Sequence, residues 1–378
     1  MNSIQLNTRD PEANPQRLIQ FDQDTSIQIF RKDHEPENTC RLNINFHDFE
    51  LELLPTKGLS VGQLTFNARK IFWDAPFNLP DPDQLNLWSD EIMLNQSAAP
   101  GFTFIKTFCG GIELYGLKNW GMPANDLTTG DLLPLHGETS NIPVERVEIK
   151  QEINELEISG TFIYRDFNGD PGLPWYQRGT EIYQVEKRII LSQKACTLTT
   201  IDKIKNLTDS DQEPNWGYHY TLFPQPGAYL KVDSANKQVR GGGKAHPDSQ
   251  TWFPADPAEA RQEVGVIHQG LILVNLNGKD FQKVSFHYPD QNEIEVLFTP
   301  APYFQSWFCA GGANQNEFTD KTGKSIMLKN WDGIGFEIGS NALDHDQNID
   351  AGVRYQRILK PGESRIIEII TSLKTSSS

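Results

Sequence analysis

The feature that most limits what this chain can fold into is the two-residue rhythm of its apolar side chains. In "RLNINFHDFELELLP" Leu42, Ile44 and Phe46 alternate with polar residues, the phase shifts at His47–Asp48, and Phe49, Leu51 and Leu53 take the rhythm up again. Successive side chains of a strand point to opposite faces, so each run builds a strand with one buried face. "ERVEIKQEINELEISGTFIYRDF" repeats it with Val147 and Ile149, Leu156 and Ile158, then Phe162 and Tyr164. "TEIYQVEKRIILS", "CTLTTIDKIKNLT", "GLILVNLNG", "KVSFHYPD", "EIEVLFTP" and "SRIIEIITSL" continue the series, and Asn168–Gly169 and Asn277–Gly278 offer turn chemistry between strands. Helical signal is confined to "PDQLNLWSDEIML" and "DPAEARQEVG", each able to supply a short helix. That is too little for βαβ crossovers throughout. The expectation is a large, mostly antiparallel all-β domain over residues 39–374, with residues 1–38 as an extension packing on its outside.

At 378 residues with 37% apolar content, the chain has material for a sizeable core, and all-β folds of this size often form one domain. The formal charge of -16 argues against nucleic acid and anionic membranes as partners, since both demand basic patches. Cys40, Cys109, Cys196 and Cys309 fit no metal spacing and form no CxxC; they read as buried free thiols in a reducing compartment. The N-terminus shows no basic segment followed by an apolar one, and no window approaches a transmembrane span. The expected setting is cytoplasmic. Oligomeric state, a homodimer included, has no visible signature.

Three residues carry candidate chemistry. His219 lies in "PNWGYHYTLFPQPGAY", among Trp216, Tyr218, Tyr220 and Phe223. A buried histidine is costly unless hydrogen-bonded, so this is either a core histidine in an aromatic cluster or a working one in a pocket. Aromatic faces stack on the C–H faces of sugar rings, and Trp216 and Tyr220 could serve a sugar or the core. His136, in "LLPLHGETSNIP", precedes a glycine that allows a tight turn; its plain structural role would be a ring bonded to a nearby carbonyl. Glu337, in "WDGIGFEIGSN", alternates to the face opposite Phe336 and Ile338. If that face is enclosed, desolvation makes the carboxylate a better base; if not, it is an ordinary exposed glutamate. His34, His47, His246, His268, His287 and His345 read as structural or surface residues, and "RGGGK" lacks the setting of a phosphate loop.

These pieces, in this order, resemble the galactose mutarotase-like superfamily, and within it the branch of aldose 1-epimerase family proteins of the DUF4432 type. The resemblance rests on "ELELLPTKGLSVGQLTFNARKIFWDAP", "FCGGIELYGLKNWGMP", "LPLHGETSNIP", "YHYTLFPQPGAYL", "PYFQSWF" and "GIGFEIGSN", from about residue 40 onward. It implies a large antiparallel β-sandwich, or supersandwich, with few short helices. It implies that His219 is a general acid at the sugar ring oxygen, Glu337 the base at the anomeric hydroxyl and His136 a sugar-orienting residue. Lys106 and Asn119 would contact hydroxyls, and Trp307 would be a stacking platform or a core residue. Lys57, Glu138 and Phe308 stand where the branch carries basic residues, which points to a neutral sugar.

Interconverting anomers needs one group to take the proton of the C1 hydroxyl and another to protonate the ring oxygen. A carboxylate and an imidazole do this in both directions without metal or cofactor. The expected activity is therefore that of an aldose 1-epimerase, a mutarotase, with a small-molecule carbohydrate as partner. Two other readings stand beside it. One is a non-catalytic carbohydrate-binding protein on the same fold; the other is a different sugar epimerase, isomerase or lyase using the same acid and base.

Overall fold

A computed structural model of the chain describes residues 2–9, 16–75, 77–126, 129–240, 251–252, 262–310, 318–326, 332–341 and 358–374. Among them, two large antiparallel sheets of 11 and 12 strands dominate, beside small sheets of two and three strands. Helix is limited to the 3-10 turns Thr103–Lys106, Thr139–Asn141 and Trp175–Gln177. The segment 82–94, expected to supply a helix, instead makes turns and a two-residue strand at Met93–Leu94. In "DPAEARQEVG" residues 256–261 lie outside the described residues, and Gln262–Leu271 is a strand.

The alternating runs pair as their patterns demand. Arg41–Phe46 and Phe49–Leu54 form a hairpin whose turn holds His47 at φ 51°. Asn277 and Gly278, both at positive φ, close the tight hairpin from Leu273–Leu276 to Lys279–His287. Asn168–Gly169 lies instead in the long connection between Glu155–Arg165 and Glu181–Ser192. The N-terminal residues do not simply lie against the domain. Asn2–Asn7 is the edge strand of the 11-stranded sheet, paired to Arg146–Gln151, while Gln16–Gln20 and Thr25–Phe30 extend the other. Leu6, Ile27 and Ile29 enter the common core, so these strands are knitted into both layers.

The inner faces of the two sheets share that core, which runs from Ile44 and Leu51 through Val185 and Ile189 to Phe336 and Ile338. Polar groups cross it in pairs. Lys187 and Asp202, directly opposite each other in neighbouring strands, form a buried ion pair at 3.0 Å, and Tyr218 of the other sheet donates its hydroxyl to Asp202. Tyr220 is hydrogen-bonded to Thr371 at 2.8 Å. Burying such groups is tolerable because each finds a partner. Cys40, Cys109, Cys196 and Cys309 are free, and all except the half-buried Cys196 are buried. Among the described residues, no helix is long and apolar enough to cross a membrane.

Candidate active site

The strand Asn215–Leu222 sits in the middle of the 12-stranded sheet, between Ile112–Leu117 and Gly333–Gly339. Its alternation separates two kinds of work. Trp216, Tyr218 and Tyr220 face the inter-sheet core and are fully buried. His219 faces the other way, under a second apolar cluster that includes Trp73, Phe104, Phe108, Tyr115, Trp120 and Tyr303. Trp216 and Tyr220 therefore cannot stack on a sugar held at His219; Tyr220 stacks on Phe336 in the core, ring centroids 4.5 Å apart. The expectation of substrate contacts for these two residues is corrected by the pleat itself.

Register places Glu113, His219, Glu337 and Gln305 side by side on four successive strands. His219 and Glu337 meet, with Nε2 3.4 Å from a carboxylate oxygen, and both are under a tenth exposed. The other imidazole nitrogen, Nδ1, is 3.1 Å from the Thr221 hydroxyl. Burial drives the His219 pKa well below its ordinary value, and the nearby His136 pushes the same way. Glu113, wholly buried, is paired with Lys57 at 3.2 Å and accepts the Cys109 N–H. Gln305 accepts the Tyr303 hydroxyl at 2.8 Å.

The walls are aromatic. Phe108 and Trp307 lie 4.6 and 5.0 Å from the His219 ring, centroid to centroid. His136 enters from the connecting segment, 6.1 Å from His219, stacked on Tyr115 and edge-on to Phe104. It sits at φ 56°, a conformation uncommon outside glycine and a known mark of functional positions. Its Nδ1 is hydrogen-bonded to the Trp120 carbonyl, the carbonyl contact its plain structural role called for. That contact fixes the ring's orientation, and burial holds its pKa at about 4. Trp120 can lie flat along the sheet because Gly217 and Gly339 lack side chains: a Cβ on either would come within 2.2 Å of the indole.

Of the other expected contacts, Trp307 lines the site. Asn119 does not offer its amide nitrogen to a ligand; it donates to the Met122 and Pro134 carbonyls and clamps the segment that delivers His136. Lys106 is partly exposed and turned to Glu91 at 3.9 Å. Lys57 and Glu138, in positions associated with sugar charge, are engaged inside the protein. The Lys57 ammonium donates to the Thr107 carbonyl and Asn141, and Glu138 accepts the Tyr164 hydroxyl at 2.9 Å. Phe308 is a core residue. His268 is a structural histidine, buried between the Ser234 and Ser306 hydroxyls, while His246 and His345 lie outside the described residues. Glu113, Tyr115, Trp120, Thr221 and Gln305 were not singled out from the sequence; the available signal covered Thr221 alone, two residues from His219 on the same strand, while the others reach the site through pairing and contacts between distant segments. Among the described residues, no group of three or more His, Cys, Asp or Glu side chains is placed to hold a metal ion.

The two antiparallel sheets have the fold of a galactose mutarotase-like sandwich. The fold closely covers a candidate aldose 1-epimerase from Klebsiella pneumoniae: TM-score 0.68, 15% identity, 98% of this chain and 91% of that one. It also covers a galactose mutarotase-like protein from Clostridium acetobutylicum, with TM-score 0.55, 12% identity, 94% of this chain and all of that one. At such identities the likeness is one of fold. The chain belongs to the DUF4432 family, described as a domain of unknown function, whose model matches residues 39–264. A comparison with curated proteins returns no match.

Proposed function

We propose that the protein is an aldose 1-epimerase-like enzyme that interconverts the anomers of a free sugar. The observation that carries this reading is the His219–Glu337 pair, 3.4 Å apart on adjacent strands in an enclosed aromatic site. The anomeric hydroxyl and the ring oxygen of a hemiacetal are bonded to the same carbon. A base and an acid that stand side by side can therefore address both. Glu337 takes the hydroxyl proton as His219 Nε2 gives one to the ring oxygen; the C1–O5 bond breaks and C1 becomes an aldehyde. Rotation about C1–C2 and the reverse transfers close the ring on the other face. The pair holds one proton before and after each step. In the free protein, where burial keeps the imidazole neutral, it rests on Glu337 and passes across the 3.4 Å contact to Nε2 when His219 acts as the acid. No net charge is therefore created in the buried site, where it would be costly. Phe108 and Trp307 supply apolar surface for the sugar's C–H faces. The engagement of Lys57 and Glu138 within the protein supports a neutral sugar over an acidic one.

The test is saturation-transfer proton NMR of anomer exchange across free aldoses, ketoses and uronates, with the wild type and Glu337→Gln. Acceleration by the wild type and its loss by a hundredfold or more in the variant, on the scale of general acid–base catalysis (about 10²–10⁴-fold), is the expected result. Line broadening without acceleration favours a carbohydrate-binding protein instead, and new product peaks favour another epimerase, isomerase or lyase.

A further inference from the structure

The two nitrogens of a catalytic imidazole have different tasks, and the one that does not meet substrate decides which tautomer is present. In His219, Nε2 faces Glu337 and Nδ1 faces the Thr221 hydroxyl at 3.1 Å. Around the rest of the ring stand Phe108, Tyr115 and Trp307, at centroid distances of 4.6, 6.0 and 5.0 Å. Among the described residues, the Thr221 hydroxyl is the group hydrogen-bonded to Nδ1. Thr221 itself is completely buried and held at both backbone ends: its N–H donates to the Gly111 carbonyl and its carbonyl accepts from Trp73 N–H. Being two residues along the same strand, it shares the face of His219.

We infer that Thr221 is a positioning residue that accepts the Nδ1–H of His219, keeping the proton of the neutral ring on Nδ1 and leaving Nε2 as the atom that exchanges a proton. The inference rests on the mutarotase reading for its functional meaning. In that cycle Nε2 alternates between protonated and bare, while Nδ1 keeps its proton throughout. A hydroxyl oxygen accepts from Nδ1–H in both states without reorganising. If the proton sat on Nε2 in the neutral ring, the Nε2 lone pair needed to accept the proton back would be missing. Valine at this position would match the shape of threonine and remove only the acceptor. Serine would restore it.

The experiment is nitrogen-15 NMR of histidine-labelled protein at neutral pH, with His219 assigned through a His219→Gln variant. In the wild type the expected result is a protonated-type shift for Nδ1 and an unprotonated-type shift for Nε2. Thr221→Val should lose that single tautomer, and Thr221→Ser should keep it. On the sugar that the wild type turns over, Thr221→Val should lower kcat by about tenfold or more, by analogy with the ten- to hundredfold loss when the outer-shell partner of a metal-ligating histidine is removed. KM should be little changed, and Thr221→Ser should recover most of the loss. A wild-type ring protonated on Nε2, or a valine variant with the wild-type tautomer and kcat, overturns the inference. The wild-type spectrum decides even if the valine variant does not fold. If the wild type accelerates no sugar while the tautomer is fixed as stated, the positioning inference stands and the mutarotase reading falls.

Discussion

Asn119 shows how one side chain can be chosen by chemistry and put to a different use by packing. An amide beside a sugar site suggests a hydroxyl contact. Here its two N–H groups join the Met122 and Pro134 carbonyls, and the Pro134 segment delivers His136. A buried carbonyl left without a donor is penalised, and each neutral hydrogen bond contributes about 1 kcal/mol. Asn119→Ala is therefore expected to lower unfolding free energy by about 2 kcal/mol in urea titrations and to raise KM through a loosened His136. A role confined to sugar contact would leave stability unchanged. At His136 itself, the positive φ and the bond to the Trp120 carbonyl together hold the ring between Phe104 and Tyr115.

At the scale of the strand, the aromatic run around His219 has a mechanical explanation. Tyr218 and Tyr220 flank the histidine in sequence and point the opposite way, where each reaches across the core to the other sheet. His219 is thus displayed from a strand pinned on both sides. The aromatic rings near its imidazole come from other elements: Phe108, Tyr115 and Trp307. Removing the hydroxyl in Tyr218→Phe takes one donor from the buried Asp202, leaving it to Lys187. Hydrogen bonds to charged groups contribute about 1.5–3 kcal/mol, and a loss of that size in chemical denaturation is the expected outcome. A change within error would show that Asp202 is satisfied by Lys187 alone.

For the whole molecule, buried titratable groups set the response to acid. Burial lowers His136 to about 4 and His268 to about 3, and drives His219 down as well. Unfolded, these histidines take up protons near their ordinary value of 6.5, whereas the folded protein does not. The unfolded state then binds more protons, so stability falls as the pH drops from about 7 toward 4, by about 1.4 kcal/mol per pH unit for each such histidine. Glu138 acts in the opposite sense. Burial raises it to about 7 from an ordinary 4.5, so its contribution is complete below 4.5 and is lost as the pH rises through 7. Three histidines outweigh one carboxyl, and the net expectation is acid destabilisation. Glu138→Gln removes the opposing group, and urea titrations between pH 7 and pH 4.5 should show a steeper loss than in the wild type. An unchanged slope would mean that Glu138 does not take up a proton in that range.

Much of this was legible in the chain because strand alternation is local: it depends only on which neighbours are apolar. That rhythm determined an all-β antiparallel fold, the phase shift at His47–Asp48 that the structure resolves as a hairpin turn, and the opposite facing of Glu337 from Phe336 and Ile338, while Asn-Gly chemistry marked the turn at Asn277–Gly278. The short helix expected over residues 82–94 is absent because a few apolar residues among turn-formers give no periodicity long enough to tell a helix from packed turns. Register between distant strands was not legible at all. It is set by nonlocal pairing, and it alone decided that Glu113, His219, Glu337 and Gln305 form one row. The pleat set Trp216 and Tyr220 opposite His219, but only contacts with the other sheet made their face the core; distant contacts likewise brought Trp120 over Gly217 and Gly339 and drew the N-terminal strands into both sheets. The sequence named the chemical groups; tertiary contacts between segments far apart in the chain decided which of them face one another.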